Sequence, residues 1–121
     1  MNANELRLGN YVYFPFTKEV VKILGINAHE NNGKIENSIS FMNGKNLYCE
    51  KIDKLQAIDL TDDWLEKLGF NLTKTCHELK GMSMLFYDGW NLNYDKGHDD
   101  YSAIGFWDVH EFQNLYFALT R

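Results

Sequence analysis

An α+β fold is what the sequence predicts, on three observations. Residues 1–59 break into short alternating apolar and polar runs separated by turn signals, and residues 82–106 do so again. Two further segments, LTDDWLEKLGF and DVHEFQNLYFALTR, carry helical periodicity with their own start and stop residues. The chain has 121 residues, 45% of them hydrophobic, which is enough to bury a core. An aromatic share of 15% favours broad side chains paired across strands. Pro15 is the only proline and no Gly/Ser-rich linker intervenes, so the reading is two halves, 1–59 and 60–121, packed as one unit.

The first half reads as five short strands. Leu6 and Gly9 lead into Tyr11 to Phe16, where Val12, Phe14 and Phe16 alternate with Tyr11 and Tyr13. Lys18 to Ile26 follows with β-branched residues up to a HENNG loop. Ser38 to Met42 and Leu47 to Glu50 flank Asn43-Gly44, whose tolerance of positive φ predicts a type I′ hairpin. Ile52-Asp53-Lys54 then makes a tight turn before a last strand, Leu55 to Ile58. This order, with its Leu-x-x-Gly-x-x-Val entry, resembles a small SH3-like β-barrel in pattern.

The second half begins with a helix. Thr61 caps it, Asp62 and Asp63 suit its positive end, and Gly69 followed by Phe70 predicts a Schellman stop. Met82, Met84 and Phe86 alternate into a turn at Asp88-Gly89, and Trp90, Leu92 and Tyr94 alternate on the way back. With Ser102 to Phe106 they form an antiparallel sheet that the terminal helix covers. In that helix Asp108 and Glu111 form a capping box, and Phe112, Leu115, Tyr116 and Leu119 make the apolar stripe. Gln113 and Asn114 sit beside the stripe, either tying loops to the helix or meeting a partner.

ELRLGNYVY, LTDDWLEKLGF and the terminal VHEFQNLYFALTR, taken in that order, resemble a group of small uncharacterised proteins of gut-type anaerobic bacteria and their phages and mobile elements. The match covers nearly the full length and is most specific from Val109 to Thr120. The resemblance implies a phage or prophage accessory protein. It implies no activity, cofactor or catalytic residue.

Charge and motifs exclude more than they select. Net charge is −5, spread unevenly: residues 1–58 carry seven Lys/Arg against six Asp/Glu, whereas 59–121 carry five against eleven. Only the first half could approach phosphate cheaply. No apolar run is long enough for a membrane span, and the start lacks signal-peptide features, which predicts a cytoplasmic protein. Cys49 and Cys76 read as reduced thiols, Cys49 as core packing. DKGHDDY, from Asp95 to Tyr101, gathers three carboxylates and His98 but has no calcium or zinc spacing, so no metal is expected. Cys76 and His77 are adjacent on a strand and point to opposite faces, which disfavours a catalytic pair. His110, in the first turn of the terminal helix, reads as a contact rather than a base. No phosphate loop, nucleophile elbow or metalloprotease helix occurs.

The leading expectation is therefore a non-enzymatic protein, without cofactor, that binds another protein of host or phage. Its contact residues would be Leu85, Tyr87 and Trp107, rimmed by Asp88, Asp99 and Asp100. The alternative is a nucleic-acid-binding module on the first half, using Tyr11, Tyr13, Lys22, Lys45 and Tyr48. A small-molecule binder or enzyme at the seam between the halves is a third class.

Overall fold

Strand ladders and local capping define the fold in the computed structural model, which describes residues 1, 3–73, 75–96 and 99–120, with backbone alone at 96, 99 and 100. The class is α+β, with far more strand than helix. The chain divides into two compact units, one made of Met1–Asp59 with Asp108–Arg121 and the other of Leu60–Trp107. The terminal helix thus belongs to the first unit, not to the second half with which the sequence reading grouped it.

In the first unit β1 (Tyr11–Phe14) pairs with β2 (Glu19–Lys22) as a two-stranded ribbon. A separate three-stranded sheet has the order β3 (Gly25–Asn31), β4 (Lys34–Asn43), β5 (Asn46–Lys51). No closed barrel forms among the described residues. Where a fifth barrel strand was expected at Leu55 to Ile58, the chain makes only an isolated bridge, Tyr13 with Gln56, after a 3₁₀ turn at Ile52–Lys54. The core follows from strand alternation. Val12, Phe14, Val21, Ile23, Ile39 and Phe41 are buried together with Leu6, Ile52 and Leu55, and the Phe14 and Phe41 rings meet edge-on at 5.3 Å. Each such side chain removed from water stabilises the unit by about 1.5–3 kcal/mol.

Three local expectations change. The β1 alternation stops at Phe14, because Pro15 lacks an amide for the ladder and opens a turn closed by the Lys18 N–H donating to the Pro15 carbonyl. Phe16 is consequently 88% exposed. The expected HENNG loop is mostly strand: β3 runs to Asn31, and only Asn32 and Gly33, at φ 51° and 79°, make the turn. Two adjacent residues that accept positive φ allow a two-residue turn, so the ladder continues through polar residues. The β4–β5 hairpin forms as expected, but its turn residues are Gly44 and Lys45, with Asn43 paired to Asn46. Only Gly44 has positive φ, 63°, the type II′ pattern in place of type I′.

Helix α2 (Val109–Thr120) is tied into this unit by its polar residues. Glu111 Oε1 accepts the Asp108 N–H at 3.0 Å, the Glu half of the expected capping box. Gln113 receives the Tyr11 N–H on Oε1 at 2.9 Å and donates from Nε2 to the Gly9 carbonyl at 3.2 Å. Asn114 receives the Asn10 amide at 3.0 Å and donates to the Glu5 carbonyl at 2.7 Å. The two alternatives for this Gln-Asn pair are thereby decided in favour of tying down the N-terminal segment. Val109, His110 and Phe112 are buried, whereas Leu115, Tyr116 and Leu119 are half-buried. Burial therefore concentrates in the first turn.

The second unit is a five-stranded antiparallel sheet of order β10 (Asp99–Gly105), β9 (Trp90–Lys96), β8 (Met82–Phe86), β7 (His77–Leu79), β6 (Asn71–Leu72). Helix α1 (Asp62–Lys67) precedes it. Thr61 Oγ1 accepts the Trp64 N–H at 3.3 Å. At the other end the Gly69 N–H reaches Glu66 O at 3.0 Å and the Phe70 N–H reaches Leu65 O at 2.9 Å, with Gly69 at φ 103°: the expected Schellman motif. Leu65 and Phe70 are buried. The sequence reading missed the β7–β8 turn, Lys80-Gly81, where both residues have positive φ (49° and 85°). A Cβ on Gly81 would stand 2.9 Å from the Asp95 carbonyl oxygen, so the backbone approach excludes a larger residue.

Candidate functional site

Register decides which side chains of the second unit share a face. Phe86 pairs with Trp90, Leu85 with Asn91, and Ile104 with Asn91, so Leu85 and Ile104 flank Asn91 on one side of the sheet. Met82, Met84, Leu92 and Tyr94, on the other side, are buried, and so is Trp90, whose indole N–H donates to the Leu60 carbonyl at 3.2 Å. Phe86 was expected to be buried with this set. It is 55% exposed, because it sits at the last ladder position before the hairpin loop and meets Trp90 edge-on at 5.2 Å instead of passing beneath it.

An exposed apolar patch results at the β8–β9 hairpin end. Leu85, Phe86, Tyr87, Ile104 and Phe106 are all exposed, Tyr87 at 79% and Phe106 at 75%. Phe86, Ile104 and Phe106 adjoin one another beside the loop. The Phe86 and Phe106 rings lie 6.3 Å apart, and Gly89 in the loop faces Ile104 and Phe106 closely enough that a Cβ would touch both at 3.5 Å. The loop is held open by the Tyr87 N–H donating to Gly89 O, and by Asn91 Nδ2 donating to the Leu85, Tyr87 and Gly89 carbonyls. Asn91 thus fixes the backbone that presents the aromatic residues.

The expected contact residues distribute unevenly over this patch. Leu85, Tyr87 and Asp88 are there and exposed. Trp107 is half-buried, with its ring over Gly105 at a distance that would put a Cβ 3.0 Å from Cε2. Asp99 and Asp100 fall in β10, but their side chains, like all of Gly97 and His98, lie outside the described residues, and with them most of the DKGHDDY cluster. Phe86, Ile104 and Phe106 were missed as surface residues. The signal available was that Ile104 and Phe106 alternate with Ala103 and Gly105, which places the two large residues opposite the small ones.

The nucleic-acid candidates of the first unit divide between its two sheets. Tyr11 pairs with Lys22, whose ammonium stands 5.9 Å from the ring centroid, and Tyr13 is half-buried one step further along β1. Tyr48 is on β5, stacked on Phe41 at 6.2 Å, and Lys45 is in the turn preceding that strand. Cys49, expected in the core, is exposed on β5, since Ile39 and Phe41 of β4 occupy the opposite face.

The buried histidines are held by carboxylates. His77 Nε2 is 2.8 Å from Asp62 Oδ1 and His110 Nε2 is 3.4 Å from Glu5 Oε2. Cys76 turns away from His77 and directs its thiol to Glu78 Oε1 at 3.5 Å. Burial, first of all, and then a hydrogen bond and like charge from Glu111 raise the carboxyl of Asp108 above its ordinary pKa. No described helix is long and apolar enough to cross a membrane. Comparison with protein-family models, with curated proteins and with solved structures gives no match.

Proposed function

We propose that this chain is a non-enzymatic accessory protein that acts by binding another protein through the hairpin-end patch of its second unit. The observation that carries the reading is the exposure of Leu85, Phe86, Tyr87, Ile104 and Phe106 at one hairpin end beside the exposed Asp88, with Phe86, Ile104 and Phe106 adjoining. Aromatic anchors clustered within a polar rim are the composition of protein-binding surfaces, and rigid rings supply contact area at little entropic cost. Phosphate recognition would call for cations, which the patch lacks. The terminal motif's likeness to phage and mobile-element proteins supports a host or phage protein as the partner, met in the cytoplasm. The first unit is read as an open, SH3-like arrangement, supported by five short strands with a 3₁₀ turn ahead of the Gln56 bridge.

The test compares two double variants in affinity capture from the native host, quantified by mass spectrometry. Tyr87→Ala with Phe106→Ala should lose the captured protein, while Lys22→Ala with Lys45→Ala retains it. Loss only in the lysine variant, with nucleic acid co-purifying with the wild type, would transfer the function to the first unit.

A further inference from the structure

Ser38 of β4 joins two groups that lie far apart in the sequence. It is opposite Asn27 on β3, and Ser40, two residues along, is opposite Cys49 on β5. The period of two therefore puts His29, Ser38 and Cys49 on one face of the sheet. His29 Nε2 is 3.0 Å from Ser38 Oγ, and the Cys49 thiol donates to the same oxygen at 3.4 Å. A hydroxyl both accepts and donates, so the Cys49 S–H, the Ser38 O–H and an unprotonated His29 Nε2 form a continuous donor chain. Burial assigns the roles. Ser38 is only 5% exposed and out of reach of a reactant, whereas Cys49 is open to solvent.

All three residues line a cleft of about 400 Å³, the volume of a small-molecule site. The charged groups facing it are Glu36 of β4, Glu50 and Lys51 of β5, and Lys54 of the 3₁₀ turn, with Lys51 Nζ 3.5 Å from Glu36. Both signs are present at the rim. We propose that Cys49 is a nucleophilic modification site for small amino-acid or peptide disulfides that carry both carboxylate and ammonium groups, with Ser38 relaying the thiol proton to His29.

The chemistry is thiol–disulfide exchange. The Cys49 proton passes to Ser38 Oγ as the Ser38 proton passes to His29 Nε2, leaving a thiolate and an imidazolium. The thiolate attacks one sulfur of the disulfide, a Cys49–sulfur bond forms, and the original S–S bond breaks. The departing thiolate takes the proton back from His29 through Ser38. Cys49 ends oxidised as a mixed disulfide and the small disulfide ends half reduced, as one free thiol, so no other oxidant is needed.

The test measures the second-order rate of Cys49 with a neutral dipyridyl disulfide, followed by release of the pyridinethione, in a Cys76→Ser background at neutral pH. Glutathione disulfide is the second probe, with the adduct mapped to Cys49 by mass spectrometry. His29→Gln, at an exposed strand position, and Ser38→Ala should each slow both reactions at least tenfold, and Ser38→Thr, which keeps the hydroxyl, should restore them. Rates for His29→Gln within twofold of wild type would overturn the relay, and this variant decides the matter even if Ser38→Ala fails to fold. Equal rates for Ser38→Thr and Ser38→Ala would overturn the role of the hydroxyl. A pyridyl reaction that depends on His29 alongside no glutathione adduct would overturn the ligand class.

Discussion

Replacing Asn114 with Ala removes one side chain that makes two hydrogen bonds across 104 and 109 positions of sequence. The bond to the Glu5 carbonyl is exposed, so water replaces it and the loss is at the low end of the usual range, about 0.5 kcal/mol. The bond from Asn10 is different. Asn10 is 3% exposed, and its Nδ2 loses this acceptor in a place water reaches poorly, which costs about 1–2 kcal/mol. The helix propensity of Ala returns a few tenths of a kcal/mol. The expected net loss is about 1–2 kcal/mol, roughly a fivefold to thirtyfold change in the folding equilibrium. Urea unfolding followed by far-UV circular dichroism measures it, with the amide exchange of residues 5–11 as local readout, since those residues should exchange faster in the variant. A midpoint unchanged within error, with exchange of that segment also unchanged, would refute the claim that Asn114 fastens the N-terminal segment to α2.

Other outcomes follow from the same structure. Phe112→Ala, at a site 1% exposed, should destabilise by about 3–5 kcal/mol, whereas Leu115→Ala, half-buried, should cost clearly less in the same urea assay. Gly69→Ala should cost about 1 kcal/mol from φ alone, since the nearest atom to its Cβ is Leu79 Cδ2 at an ordinary 3.8 Å. Gly81→Ala should cost more than Gly69→Ala, because its Cβ also meets the Asp95 carbonyl; equal melting temperatures would contradict that backbone approach. For Asp108 the folded state holds a proton more readily than the unfolded chain, whose ordinary value is 3.8, so the associated stability is full below that pH and is lost as pH rises through the folded-state value. Asp108→Asn should therefore gain stability over wild type at neutral pH, and the gain should shrink as pH falls through the folded-state value and be gone below 3.8.

Local signals were legible where a few neighbouring residues decide the outcome. The Thr61 cap, the Gly69-Phe70 stop and the alternation of Met82, Met84, Leu92 and Tyr94 each depend on contacts within one element or one hairpin. Turn chemistry was legible to within a residue: Asn43-Gly44 marked the hairpin, but the strand register moved the turn to Gly44-Lys45. Long-range pairing was not legible. Nothing in DVHEFQNLYFALTR says that Gln113 and Asn114 face residues 5–11, because their partners include backbone groups, which every residue carries. The same limit hid the His29–Ser38–Cys49 chain, which exists only through the register of three strands. At the candidate site, Leu85, Tyr87 and Asp88 were readable from alternation and turn signals, and Ile104 and Phe106 from their alternation with Ala103 and Gly105, whereas Phe86 was not, since its exposure depends on where a strand ends.

Site-specific photocrosslinking tests the central claim most directly. A benzophenone amino acid placed at Phe106 in the native host should yield a discrete protein adduct, and the same group placed at Lys22 should not. An adduct at Lys22 alone, or nucleic acid crosslinked there with none at Phe106, would contradict a protein-binding surface at the hairpin end of the second unit.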